Sequence, residues 1–339
     1  MRAFDYARPA SLAEALLDAR QALAADPPAT PAFLAGGTTL LDLMKLDVLR
    51  PGRIVDLGAL RQEFGQIRPD RDALHLGAFA RMAEVAAHPG VNAAYPVIAQ
   101  SLALAASAQL RNMATLGGNV LQRTRCAYFR DPSWRACNRR TPGSGCAALD
   151  GANRGHAVLG ASDACIATYP GDFAQALVAL EASVVIAGAR GRREIPFATL
   201  HRRPGTTPHL ETGLQPGEII AGFVVPARPW TRRSRYLKIR DRQSYEFAVA
   251  SAAVALDLDG ETVRDVRIAL GGLASVPWRA HEAEDALRGR RLDEASAQAA
   301  AQAAFSGAVP RAHNAFKIPL GQATLVRALL EVKSMEITQ

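Results

Sequence analysis

Cys126, Cys137, Cys146 and Cys165 are the four cysteines of this 339-residue chain, and all fall inside one 40-residue stretch. The start, Met1-Arg2-Ala3-Phe4-Asp5-Tyr6, lacks the charged and then apolar regions of a secretion signal. A cytoplasmic location is therefore expected, with export alongside a signal-bearing partner to the periplasm as the alternative. Thiols gathered in a cytoplasmic chain point to a metal or a cluster rather than to disulfides. Their spacing, C-x10-C-x8-C-x18-C, is not the paired C-x2-C of a zinc ribbon. The surrounding stretch, 120–165, is rich in Arg, Gly, Cys and Pro and shows little periodicity. A structureless insertion that long needs a functional or stabilising reason.

The remainder reads as an ordinary globular chain, 49% hydrophobic and 21% charged, long enough for two or three domains. Apolar stretches such as Leu102 to Ala106 fall far short of the roughly 20 residues that span a bilayer. The net charge of +8 comes from dispersed arginines, with only short pairs such as Arg139-Arg140 and Arg192-Arg193. No basic tract with interleaved aromatics accompanies it, so nucleic-acid binding is disfavoured. A basic face toward an acidic partner is the simpler reading.

Ser11-Leu12-Ala13-Glu14 is a capping-box signature, followed by apolar residues at helical spacing through Leu16, Leu17 and Leu23. Ala32 to Leu34 reads as a strand running into Gly36-Gly37, with a helix following through Leu40, Leu43 and Leu46. Ile54–Leu57 and Leu74–Leu76 read as strands, and Tyr95–Ser107 as a buried helix. Beyond Cys165 come a helix from Asp172 to Ala182, strands Ser183–Ala187 and Glu218–Pro226, and a linker, Ala227–Arg235. A β segment at Tyr236–Arg240 precedes a hairpin around Asp259-Gly260. Helices His281–Leu287, Glu294–Phe305 and Gly321–Val332 end the chain.

Two glycine pairs carry the binding chemistry. Leu34-Ala35-Gly36-Gly37-Thr38-Thr39-Leu40 puts two residues without Cβ between strand and helix, where backbone N–H groups can approach a phosphate. By itself such a turn is common. A second element, Gln109-Leu110-Arg111-Asn112-Met113-Ala114-Thr115-Leu116-Gly117-Gly118-Asn119, again ends in Gly-Gly with small polar neighbours. Two such elements suit a dinucleotide with two phosphates, and neither matches G-x-G-x-x-G, which disfavours a Rossmann fold.

With Ile219-Ile220 before Pro226 and Lys238-x-x-x-Arg242 following in order, the sequence resembles the FAD-binding (medium) subunits of the xanthine dehydrogenase and carbon monoxide dehydrogenase group of molybdenum hydroxylases. The resemblance covers nearly the whole chain. It implies an α/β fold, α+β overall. Two FAD-binding subdomains of the PCMH/VAO type, 1–60 and 61–227, would be followed by an α+β CO-dehydrogenase-flavoprotein-like domain, 232–335. Phe33, Leu34, Ala35, Gly36, Gly37, Thr38, Thr39 and Leu40 would wrap the FAD pyrophosphate together with Thr115, Leu116, Gly117, Gly118 and Asn119. Asp172 would bond ribityl or ribose hydroxyls, or cap the helix that it opens. Ile220 would pack against the ring system, and Lys238 would lie beside the isoalloxazine.

A subset of that group carries a four-cysteine insertion after the Gly-Gly-Asn motif, among them aldehyde oxidoreductase of the periplasmic type and 4-hydroxybenzoyl-CoA reductase. Cys126-Ala127-Tyr128-Phe129, Pro142-Gly143-Ser144-Gly145-Cys146 and Cys165-Ile166-Ala167-Thr168 are most similar to the aldehyde oxidoreductase branch. By that resemblance the four cysteines would ligate a [4Fe–4S] cluster, whose loops vary in length. Structural zinc and four free buried thiols are the alternatives, and His156 reads as structural. The implied partners are a molybdenum-cofactor large subunit and a [2Fe–2S] small subunit. Electrons would reach FAD here and leave to an external acceptor. The rival readings are the reductase, with electrons flowing the other way, and a zinc-stabilised nucleic-acid-binding scaffold.

Overall fold

A computed structural model describes residues 1–25 and 31–337. The first helix, Leu12–Ala24, begins where the Ser11 hydroxyl accepts the Glu14 N–H at 3.2 Å. Glu14 returns a bond to the Ala10 N–H at 2.9 Å, one residue earlier than a standard capping box would place it. The helix buries Ala15, Ala19 and Ala22, while Leu17 and Leu23 stay exposed. Of the leucines that the spacing suggests only Leu16 packs against the core, and the buried face is thus a strip of alanines flanked by half-buried Leu12 and Leu16. It packs against a three-stranded sheet, Asp5–Ala7, Arg53–Asp56 and Pro31–Leu34, with Arg53–Asp56 central and both pairings parallel. Parallel neighbours need crossover connections, which the helices Leu12–Ala24 and Leu40–Lys45 supply.

A second sheet of five antiparallel strands runs in the order Ile67–Pro69, Ala73–Gly77, Ile219–Pro226, Ser183–Gly188, Gly191–Pro196. The edge strand Gly191–Pro196 carries Arg192, Arg193 and Glu194, charges that discourage further strand addition. Short helices from Met82 to Val120 connect the second strand to the cysteine-bearing stretch. That stretch is largely irregular, with one short helix at Ala127–Arg130. The helix Phe173–Ala179 leads into the strand Ser183–Gly188.

The third sheet is antiparallel, in the order Trp278–Arg279, Thr262–Gly271, Ala250–Asp259, Ser234–Ile239. Asp259 pairs with Thr262, leaving Gly260 at φ 58° to begin the two-residue turn, as the Asp259-Gly260 signal predicts. Alternate residues of Ala250–Asp259 face opposite sides. Ala253 and Ala255 join the core shared with the other sheets, while Ala252, Val254 and Leu256 face the helices His281–Leu287, Glu294–Ala304 and Lys317–Lys333. No helix among the described residues is long and apolar enough to cross a membrane.

Candidate cofactor groove and cysteine cavity

The two glycine pairs lie against each other. A Cβ on Gly36 would sit 2.3 Å from the Met113 carbonyl oxygen and 2.8 Å from Ala114 Cα. Gly37 has φ +74°, a left-handed conformation at the end of the strand-to-helix turn. The second pair is tied to the segment after Ala73–Gly77: Leu116 donates to the Ala80 carbonyl at 3.1 Å and Gly117 to the Ala78 carbonyl at 2.8 Å. Thr115 Oγ1 accepts the Gly118 N–H at 3.2 Å. A Cβ on Gly118 would meet only that hydroxyl, at 3.1 Å, and otherwise point into open space. Three glycines are therefore required by packing or backbone conformation, and Gly118 alone of the four has open space where a Cβ would point.

That opening is one groove with two sections, both lined by Thr38, Thr39 and Gly118. The first section holds about 200 Å³ and is largely apolar. Phe33, Ala35, Gly36, Gly37, Leu40, Thr115, Gly117 and Ile220 line it, joined by Leu43, Leu49, Phe79 and Arg123. The second section holds about 460 Å³ and is the more polar of the two, with Asn119, Asp172, Asp42, Arg125, Arg130 and Arg242 among its lining residues. Two of the four non-glycine residues with positive φ among those described, Ala106 at 49° and Tyr245 at 54°, lie here. Unfavourable backbone conformations of this kind cluster at functional sites.

Most residues expected at the site are thus brought together. Leu34 and Leu116 lie beneath the groove without lining it, and Lys238 lies behind Asp172. The Lys238 ammonium donates to Asp172 Oδ2 at 2.8 Å and to the Leu104 carbonyl at 3.1 Å. The Tyr236 hydroxyl donates to Asp172 Oδ1 at 2.6 Å. Asp172 occupies the N-cap position of Phe173–Ala179, but its side chain makes no capping bond, because both oxygens are turned to these partners. This corrects the capping alternative. Burial pushes the Asp172 carboxyl upward, against the pull of Lys238.

Sequence reading missed the charged frame of the polar section. Asp42 pairs with Arg130 at 2.8 Å and Arg125 at 3.1 Å, and the Arg130 hydrogen bond holds its carboxyl below the ordinary range despite burial. The available signal was the recurrence of arginine at 123, 125 and 130, bracketing the first cysteine.

All four cysteines are free thiols lining a single small cavity, with Arg139 its one charged side chain. No three His, Cys, Asp or Glu side chains among the described residues converge on one metal-ion position. Cys126 faces the backbone N–H groups of Phe129 and Tyr128, and Cys146 those of Ala148 and Ile166. Burial pushes the Cys126 thiol up to about 12 and raises that of Cys146. Arg139 Nη2 lies 3.8 Å from Cys165 Sγ, and His156 Nε2 lies 3.2 Å from Cys126 Sγ. Four thiols on one cavity, three of them facing N–H donors, suit a thiolate-ligated cluster, whose sulfurs accept such hydrogen bonds.

The cysteine-bearing stretch is held from two sides. Phe129 and Cys137 pack on Leu43, in the helix after the first glycine pair. From the C-terminal region, Lys317 is buried and its ammonium donates to the carbonyls of Gly155 at 3.1 Å, His156 at 3.1 Å and Gly272 at 2.7 Å. Burial lowers its pKa to about 8. Asn314 Nδ2 donates to the carbonyls of His156 at 3.3 Å and Ala157 at 3.2 Å.

Comparison with known proteins agrees with this geometry. Residues 2–228 match the family model described as the FAD binding domain in molybdopterin dehydrogenase, and residues 235–332 match the CO dehydrogenase flavoprotein C-terminal domain. The aldehyde oxidoreductase FAD-binding subunit PaoB of Escherichia coli is 44% identical over 335 residues, covering 98% of this chain and 99% of that protein. The carbon monoxide dehydrogenase medium chain of Hydrogenophaga pseudoflava is 28% identical, covering 89% of this chain and 86% of that protein. Among solved structures, quinoline 2-oxidoreductase from Pseudomonas putida 86 superposes with a TM-score of 0.74 at 25% identity, covering 98% of this chain and 97% of that one.

Proposed function

The chain belongs to the FAD-binding subunits of the molybdenum hydroxylase family, and we propose that it is the electron-transfer subunit of an aldehyde oxidoreductase, carrying FAD and one [4Fe–4S] cluster. The observation that carries the flavin assignment is the single groove over Thr38, Thr39 and Gly118, contributed by both glycine pairs. A pyrophosphate there would meet backbone rather than side chain at Gly118, with Arg123 and Arg125 as nearby cations. The apolar and polar sections would take the two halves of the dinucleotide. Bound FAD supplies a carrier able to take a pair of electrons and release them one at a time.

The protein's part is positioning. Phe33 and Ile220 exclude water from the apolar section. The carboxylate of Asp172 has four acceptor sites, of which Tyr236 and Lys238 use two. The others remain for sugar or ribityl hydroxyls, and Lys238 serves as a positioning residue for Asp172. Cys126, Cys137, Cys146 and Cys165 would hold the cluster. Oxidation of the aldehyde would take place on a molybdenum subunit. A [2Fe–2S] subunit would pass the electrons here, and an external acceptor would take them away.

Chain purified anaerobically should release FAD rather than FMN on denaturation and should oxidise no aldehyde until its two partner subunits are added. Turnover by the lone chain at the rate of the complex would overturn this reading, as would released FMN or a content of zinc without iron.

A further inference from the structure

We propose that Glu211 couples the flavin groove to the cysteine cavity, holding Arg123 at one and Arg139 at the other so that charge placed in either site is felt in the other. Glu211 lines neither site. Its Oε1 accepts from Arg123 Nε at 2.7 Å, and its Oε2 is 2.9 Å from Arg139 Nη1. Arg123 lines the apolar section of the groove, and its guanidinium lies 4.5 Å over the ring of Phe129, three residues past Cys126. Arg139 lines the cysteine cavity and reaches Cys165 Sγ. The backbone at Glu211 is itself fixed, because the Arg202 N–H donates to its carbonyl at 3.0 Å and the neighbouring Thr212 pairs with His201.

One carboxylate thus serves two guanidinium groups and neutralises only one of them. An anionic phosphate arriving in the groove competes for Arg123, and more of the Glu211 charge then falls on Arg139. The positive field of Arg139 at Cys165 weakens, and an electron added at the cysteine site becomes less favourable. All three side chains are at least three-quarters shielded from solvent, so screening is incomplete. Such coupling is reciprocal: what FAD does to the cysteine site, the cysteine site does to FAD affinity.

This inference rests on the reading of the cysteine cavity as a cluster site, and the experiment separates the two. The full chain is purified anaerobically, its iron is counted, and the cluster midpoint potential is measured with FAD bound and with FAD stripped. The expected result is a lower potential with FAD bound, and collapse of that difference in Glu211→Gln. A direct field effect of FAD would persist in that variant, so a persisting difference overturns the proposal, as does a wild-type potential indifferent to FAD. If the wild-type chain holds no iron, or Glu211→Gln fails to take up the cluster, FAD affinity in Arg139→Lys decides. Arg139 does not line the groove, so severalfold weaker FAD binding supports the triad and unchanged binding overturns it.

Discussion

Lys238 Nζ lies 2.8 Å from Asp172 Oδ2, and both side chains are almost fully shielded, at 1% and 4% exposure. Removing one partner of a buried pair leaves an uncompensated charge. Lys238→Met is therefore expected to destabilise the chain by about 3–5 kcal/mol in denaturant unfolding. The double variant Asp172→Asn/Lys238→Met should recover part of that loss. Because Lys238 reaches the groove only through Asp172, its removal should shift the flavin potential no more than Asp172→Asn does. A stability unchanged from wild type would show that the pair is not formed.

The four glycines separate binding from folding. Gly118→Val should leave the melting transition near that of the wild type and abolish FAD retention, since the new side chain enters the groove. Gly36→Ala forces a methyl group into backbone and should cost at least about 1–3 kcal/mol of stability whether or not FAD is present. Wild-type FAD content in Gly118→Val would remove that residue from the site.

About four irons per chain are expected, and Cys146→Ser should lose them. A bound cluster contributes folding free energy. The same variant should therefore become sensitive to limited proteolysis between residues 120 and 165. An unaltered iron count would exclude Cys146 as a ligand.

His201 gives a pH dependence with a defined sign. Its Nε2 lies 2.9 Å from the Val120 carbonyl, at the end of the second glycine element, and its ring packs edge-on against Tyr169 and Phe197. Burial lowers its pKa from 6.5 to about 4, against the opposing effects of the Val120 bond and Glu211. Above pH 6.5 the ring is neutral in folded and unfolded chains alike. As pH falls toward 4, only the unfolded chain takes up the proton, so stability is lost across that window, by no more than about 3 kcal/mol. Urea midpoints measured across that window should fall less steeply for His201→Gln than for the wild type. Identical slopes would place the acid sensitivity elsewhere.

Local signals were legible in the sequence and long-range ones were not. Ser11 and Glu14 announce a helix start, Asp259-Gly260 a hairpin and the two glycine pairs their turns, because each is decided by residues only a few positions apart. The strand Gly191–Pro196 escaped notice because its charged, solvent-facing residues lack the apolar alternation that marks a half-buried strand. The residues flanking the groove could be named one by one. That Lys238 stands behind Asp172, 66 residues away, could not, since nothing in either neighbourhood specifies the pairing. The same holds for Glu211, which meets Arg123 across 88 residues.

The clasp that Lys317 and Asn314 place on Gly155, His156 and Ala157 joins residues 157 to 162 positions apart. During synthesis the cysteine stretch leaves the ribosome long before the helix that fastens it. Until that helix emerges and docks, the loop carrying Cys126 to Cys165 lacks its C-terminal fastening. Docking of that helix is therefore the event that completes the fastening of residues 155–157, so the order of the cysteine stretch depends on a segment synthesised well after it.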